Sequence, residues 1–205
     1  SLYHINGEKY TLYKEDSIPH RQLRKREEYR RKHGFDAPCF MRNGEVRQLH
    51  ISGDMYNYLN SIIIEQLDEK TIIHTNRGSV AKKKQDFPKF IDAQFWTFAI
   101  IEFCELNGLH LLIDKTRRGG FSYIMASHSA NKINLQPNKV CIHVAADSKY
   151  LTKRGGLTDF TIRNLYFYEN KTFFKRGILS RAAENFTLGF KLPNGDISPN
   201  SWNSA

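Results

Sequence analysis

Four Asn-Gly dipeptides, at 6–7, 43–44, 107–108 and 194–195, and two Gly-Gly pairs, at 119–120 and 155–156, punctuate this chain. Asn-Gly favours the positive φ angles of a two-residue hairpin turn, and paired glycines accept them without steric cost. The elements between such breaks are short. Hairpins outnumber βαβ alternation, which predicts an α+β fold with a mostly antiparallel sheet built from hairpins.

Residues 2–14 and 39–51 read as hairpins about Asn6-Gly7 and Asn43-Gly44. Pro19 can open a helix over 19–33, with Gly34 as its stop. Met55, Leu59, Ile62, Ile63 and Leu67 recur at helical spacing, so 54–68 reads as an amphipathic helix. A short strand at 71–74 and a basic loop at 76–88 follow. Residues 90–106 are the most hydrophobic segment, apolar on all sides, which predicts a buried central helix with two or three surface helices around it. Its length and its interruption by Asp92, Gln94, Glu102 and Glu105 argue against a membrane span. Strand chemistry marks 109–113, 121–125, 140–145, 160–162, 165–168, 173–174 and 186–192, and 178–184 reads as a short helix. The expected organisation is one globular domain over 1–195, in which residues 1–52 hold the basic helix and hairpins, and a loose polar tail at 196–205.

One signature occurs twice. Thr116-Arg117-Arg118-Gly119-Gly120-Phe121 is matched by Thr152-Lys153-Arg154-Gly155-Gly156-Leu157, with a partial copy at Lys175-Arg176-Gly177. A glycine turn can aim successive N–H groups at an anion, and the adjoining cations add charge where a phosphate could sit. The chain has 31 Lys and Arg against 21 Asp and Glu, a net charge of +10. Such a surplus favours a polyanionic partner. Lys82, Lys83 and Lys84, and Arg24 and Arg31 of the 19–33 helix, extend the basic set. Phe121, Tyr123, Tyr166, Phe167, Tyr168, Phe173 and Phe174 stand near these cations in sequence and could stack bases. The expected function is a nucleic-acid-binding protein, for RNA or DNA, that engages phosphates through its basic Gly-Gly turns. A nuclease or nucleic-acid-modifying activity is compatible with this set, and an acidic partner protein is the non-catalytic alternative.

Catalytic candidates are few. His128 and His143, with Arg118 or Lys139, would supply the acid, base and cation of metal-independent ribonuclease chemistry. The competing arrangement is a cysteine-dependent hydrolase or transferase, effector- or toxin-like, using Cys104, His143 and Asp159 on a protein substrate. Cys104 falls near the C-terminal end of its helix, where the dipole disfavours a thiolate. No P-loop, G-x-G-x-x-G, H-E-x-x-H or G-x-S-x-G occurs. No carboxylate cluster or C-x-x-C is seen, so no metal or cofactor is expected. Cys39, Cys104 and Cys141 are widely spaced, which fits a reducing, cytoplasmic compartment.

Overall fold

The structure, a computed structural model, describes the backbone of residues 3–5, 8–10, 17–75, 78–114, 120–181 and 185–204, with side chains for 17–66, 84–114, 120–179 and 187–198. Five α-helices and ten strands are found among them. The helices are α1 (Ile18–His33), α2 (Gly53–Ser61), α3 (Asp92–Leu106), α4 (Phe121–Leu135) and α5 (Leu157–Lys171). The fold class is α+β, and the sheets are small and mainly antiparallel. Strands β1 (Tyr3–Ile5) and β2 (Glu8–Tyr10), β3 (Phe35–Phe40) and β4 (Val46–Ile51), and β5 (Ile64–Thr75) and β6 (Gly78–Asp86) pair as separate hairpins. The fourth sheet has the order β7 (Val140–His143), β10 (Ile197–Ser204), β9 (Asn185–Lys191), β8 (Ile178–Arg181), with β7 and β10 parallel.

Four helices enclose the core. Met55, Tyr58 and Ile62 from α2 and its end meet Phe98 and Ile101 of α3, Ile124, Ala130 and Ile133 of α4, Leu165 and Tyr168 of α5, and Leu188 of β9. Polar side chains are built into the same interior. Asn57 Nδ2 donates to Ser127 Oγ at 3.1 Å, and Tyr168 OH donates to Asn57 Oδ1 at 2.8 Å. Each buried polar atom so paired avoids a desolvation cost of about 1–3 kcal/mol.

Several expectations are corrected. The runs at 121–125 and 160–168 are helical. Ile124, Ser127, Asn131 and Asn134 on α4, and Thr158, Thr161, Leu165 and Tyr168 on α5, are buried at helical spacing. A five-residue alternation is too short to separate strand from helix. Residues 109–113 form no strand. Helix α2 stops at Ser61, because Ile62 is extended and leads into β5. The basic stretch 76–88 holds β6 in place of a loop, and 178–181 is β8 in place of a helix. The tail carries β10, hydrogen-bonded on both edges.

Helix α3 is also less buried than its composition implies. Gln94, Phe98 and Ile101 face the core at spacings of four and three. Trp96, Ile100, Phe103 and Leu106 are exposed. The helix packs on α2 along one side, and among the described residues nothing covers the other.

Candidate nucleic-acid interface

Helix α1 starts where Ser17 Oγ accepts from the His20 N–H and ends where the Gly34 N–H returns to the Arg30 carbonyl. Its few apolar residues suggest a solvated helix, yet His20, Leu23, Glu27 and Arg31 are buried on one arc. Arg31 is 1 % exposed. Its Nε donates to Asn131 Oδ1 and its Nη1 to Asn134 Oδ1, both at 3.1 Å. Its guanidinium lies over the Phe174 and Tyr168 rings, at 4.1 and 4.5 Å from their centroids. Arg31 is therefore removed from the phosphate-contact set: it anchors the helix. Arg24 is half-turned inward, bonded to Glu28 and to the Lys175 carbonyl. Arg176 is likewise structural, donating to the Asn134 carbonyl at 2.8 Å and to Glu28 at 2.9 Å. Lys175 beside it is exposed.

Both glutamates of α1 are already engaged by other side chains. Glu27 holds Tyr56, Arg26 and Arg30, and Glu28 holds Arg24 and Arg176. The outer arc then carries Arg21, Lys25, Tyr29 and Lys32, all exposed. At 100° per residue the three cations lie within about 40° of one another, and they span about 16 Å of helix. Sequence reading missed this face as distinct from the helix as a whole, because which arc is buried depends on residues a hundred positions away.

The second Thr-Lys-Arg-Gly-Gly copy leads into α5, and the first, of which Gly120 and Phe121 are described, leads into α4. Arg117, Arg118 and Gly119 lie outside the described residues. Gly155 has φ +91°, and its N–H donates to Asp159 Oδ2 at 2.8 Å. The Gly156 N–H goes to the Lys153 carbonyl, and the Thr158 and Asp159 N–H groups go to the Leu151 carbonyl. The backbone amides expected to cradle a phosphate in this copy are thus satisfied internally. Lys153 and Arg154 themselves are exposed at the tip, Arg154 with 86 % of its side chain accessible. A polar groove of about 380 Å³ joins Arg154 and Gly155 to Lys84, Gln85 and Glu65. The side chains of Lys82 and Lys83 lie outside the described residues.

Glu65 and Gln85 also belong to a neighbouring pocket of about 320 Å³. One face of α5 supplies Phe160, Arg163, Asn164 and Phe167, and α4 supplies Tyr123. Tyr123 and Phe160 stack with centroids 4.2 Å apart. Arg163 is fixed by Asp159 at 2.8 Å and by Glu65 at 3.3 Å. Asn164 is 3 % exposed, and its Nδ2 has no hydrogen-bond partner among the described residues. Tyr123, Tyr166 and Phe167, three of the seven aromatic residues singled out in the sequence, line this pocket with Arg163, whereas Tyr168, Phe173 and Phe174 are buried and cannot stack a base.

No protein-family model matches this chain, and no curated protein or solved structure matches it either.

The two candidate histidines sit elsewhere, where α4 meets α2, α3 and β7. His128 Nδ1 lies 2.8 Å from Asp54 Oδ2, and its Nε2 is 3.6 Å from Glu105 Oε1. Lys132 reaches Glu105 at 2.7 Å and Asp54 at 3.5 Å. Burial pushes the Asp54 carboxyl up, but His128, Lys132 and Asn131 outweigh it and hold the group below the usual range. His143 Nε2 shares a 2.9 Å hydrogen bond with Ser129 Oγ. Burial first, and then the charge of His128, lowers the His143 pKa to about 4. His128 lines a cavity of about 380 Å³ with Cys104, Ile101 and Met125, and His143 does not. Asp54, Glu105 and His128 offer ligand atoms within 4.8 Å of one another, but the Lys132 ammonium already pairs with both carboxylates. The Cys104–His143–Asp159 triad is not assembled. Cys104 lines the His128 cavity, His143 bonds Ser129, and Asp159 is engaged by Gly155 and Arg163.

Proposed function

We propose that the protein binds nucleic acid through the outer face of α1 and the Lys153-Arg154 tip. The observation that carries this reading is the two-sided build of α1. Its inner arc buries an arginine, a costly group to desolvate. That anchoring holds Arg21, Lys25 and Lys32 in an outward row, with both neighbouring glutamates already engaged by other side chains. A row of that kind tracks a phosphate backbone, and the net charge of +10 steers the encounter. At the tip, binding is by side chains, since the amides of both glycines are occupied.

The test is a fluorescence-anisotropy titration against short RNA and DNA strands over a range of salt. Log Kd should rise linearly with log salt. Replacing Arg21, Lys25 and Lys32 by Ala should reduce that slope by about 2–3, near one for each phosphate no longer neutralised. An unchanged slope in the triple variant, or no binding by the parent protein at low salt, contradicts the proposal.

A further inference from the structure

The aromatic pocket and the polar groove are contiguous, sharing Glu65 and Gln85. We infer that this pair of recesses takes one unstacked nucleotide, with the base against the α5 aromatics and its phosphate at Lys84 and Arg154. The inference rests on the nucleic-acid reading and narrows it to single strands or free nucleotides, because a base inside a duplex cannot enter a recess of this kind.

Three features converge. The walls are aromatic: Tyr123, Phe160, Tyr166 and Phe167 are all half-buried, and stacking on such rings is tolerant of base identity. The volume of about 320 Å³ is at the small end for ligand pockets, the scale of a base and not of a longer fragment. The cations stand on one side, in the groove. Arg154 reaches from the Gly155 turn, and Lys84 lies on β6 beside its ion-pair partner Asp86. Glu65 lies between the two recesses, with Arg163 at 3.3 Å and Arg154 at 3.9 Å offsetting its charge.

The experiment uses the whole chain and four probes at one salt concentration: a base-bearing single strand, the same strand with abasic positions, a duplex of equal length, and AMP with adenosine as its phosphate-free control. The base-bearing strand should bind at least about tenfold tighter than the abasic strand and the duplex, and AMP should compete for it. Phe160→Ala should lower single-strand affinity by roughly 5- to 100-fold. Lys84→Ala with Arg154→Ala, two exposed positions, should weaken AMP and leave adenosine unchanged. Equal binding of the abasic strand, the duplex and the base-bearing strand overturns the pocket and leaves the phosphate reading standing. AMP binding without any strand affinity keeps the pocket and overturns the strand reading. The abasic and duplex arms use the unaltered protein, so a Phe160→Ala chain that fails to fold does not remove the test.

Discussion

His143 shows what a single buried ring contributes. Its pKa falls from 6.5 to about 4 because burial penalises the imidazolium and the charge of His128 adds to that penalty. Between those two values the unfolded chain binds a proton that the folded chain refuses. Stability is therefore fully present above about pH 6.5 and is lost as pH falls toward 4, by at most about 1.4 kcal/mol per pH unit and about 3 kcal/mol in all. His50 acts in the opposite sense. Its hydrogen bond to Asp36 leads the causes that raise its pKa, so its contribution is present at low pH and fades as pH rises. Urea denaturation of the parent and of His143→Gln from pH 4 to 7 separates the two, since the variant should lose the acid-side slope. Parallel stability curves would show that His143 is not held neutral by the fold. The environments of the candidate histidines His128 and His143 were not legible in the sequence. His128 is joined to Asp54 across 74 positions, and no local pattern connects them.

At the level of the element, α1 is the clearest case of a partly legible feature. Pro19 and Gly34 frame it in the sequence, and the helix observed is Ile18–His33. Its docking was not legible, because a helix with one apolar buried residue, Leu23, reads as solvated. What buries it is a guanidinium matched to two asparagines and two rings supplied by α4, α5 and the segment after α5. The same blindness misassigned α4. Its core-facing side is built from Ser127, Asn131 and Asn134 as much as from isoleucine, so apolar periodicity missed the helix. The 39–51 hairpin was legible because Asn43-Gly44 states the turn chemically. Gly53 adds a second constraint on α1: a Cβ there would run into the Arg31 carbonyl, so the α1–α2 junction admits little else. Arg31→Ala should cost roughly 2–4 kcal/mol, the sum of a cavity and two asparagine oxygens left without donors. Arg21→Ala, Lys25→Ala or Lys32→Ala should each stay within about 0.5 kcal/mol of the parent. Thermal and chemical denaturation of the four variants checks the split, and an Arg31→Ala protein as stable as the parent would show that α1 is not anchored there.

For the whole molecule, two surfaces of opposite character coexist. One is the cationic set on α1 and at the 153–154 tip, and the other is the uncovered side of α3, where Trp96, Ile100 and Phe103 are 63 %, 48 % and 59 % exposed. A charge of +10 keeps copies of the chain apart in dilute buffer. That repulsion reaches about 10 Å in 0.1 M salt and only about 3 Å in 1 M. Salt therefore has two effects on this protein: it strips phosphate contacts and it lets apolar stripes approach. Colloidal behaviour should follow, with the light-scattering mass of the free protein rising as salt rises and Trp96→Glu suppressing the rise. A mass that stays flat to 1 M would mean that the stripe is inert between copies, and loss of nucleic acid at high salt would then report phosphate chemistry alone.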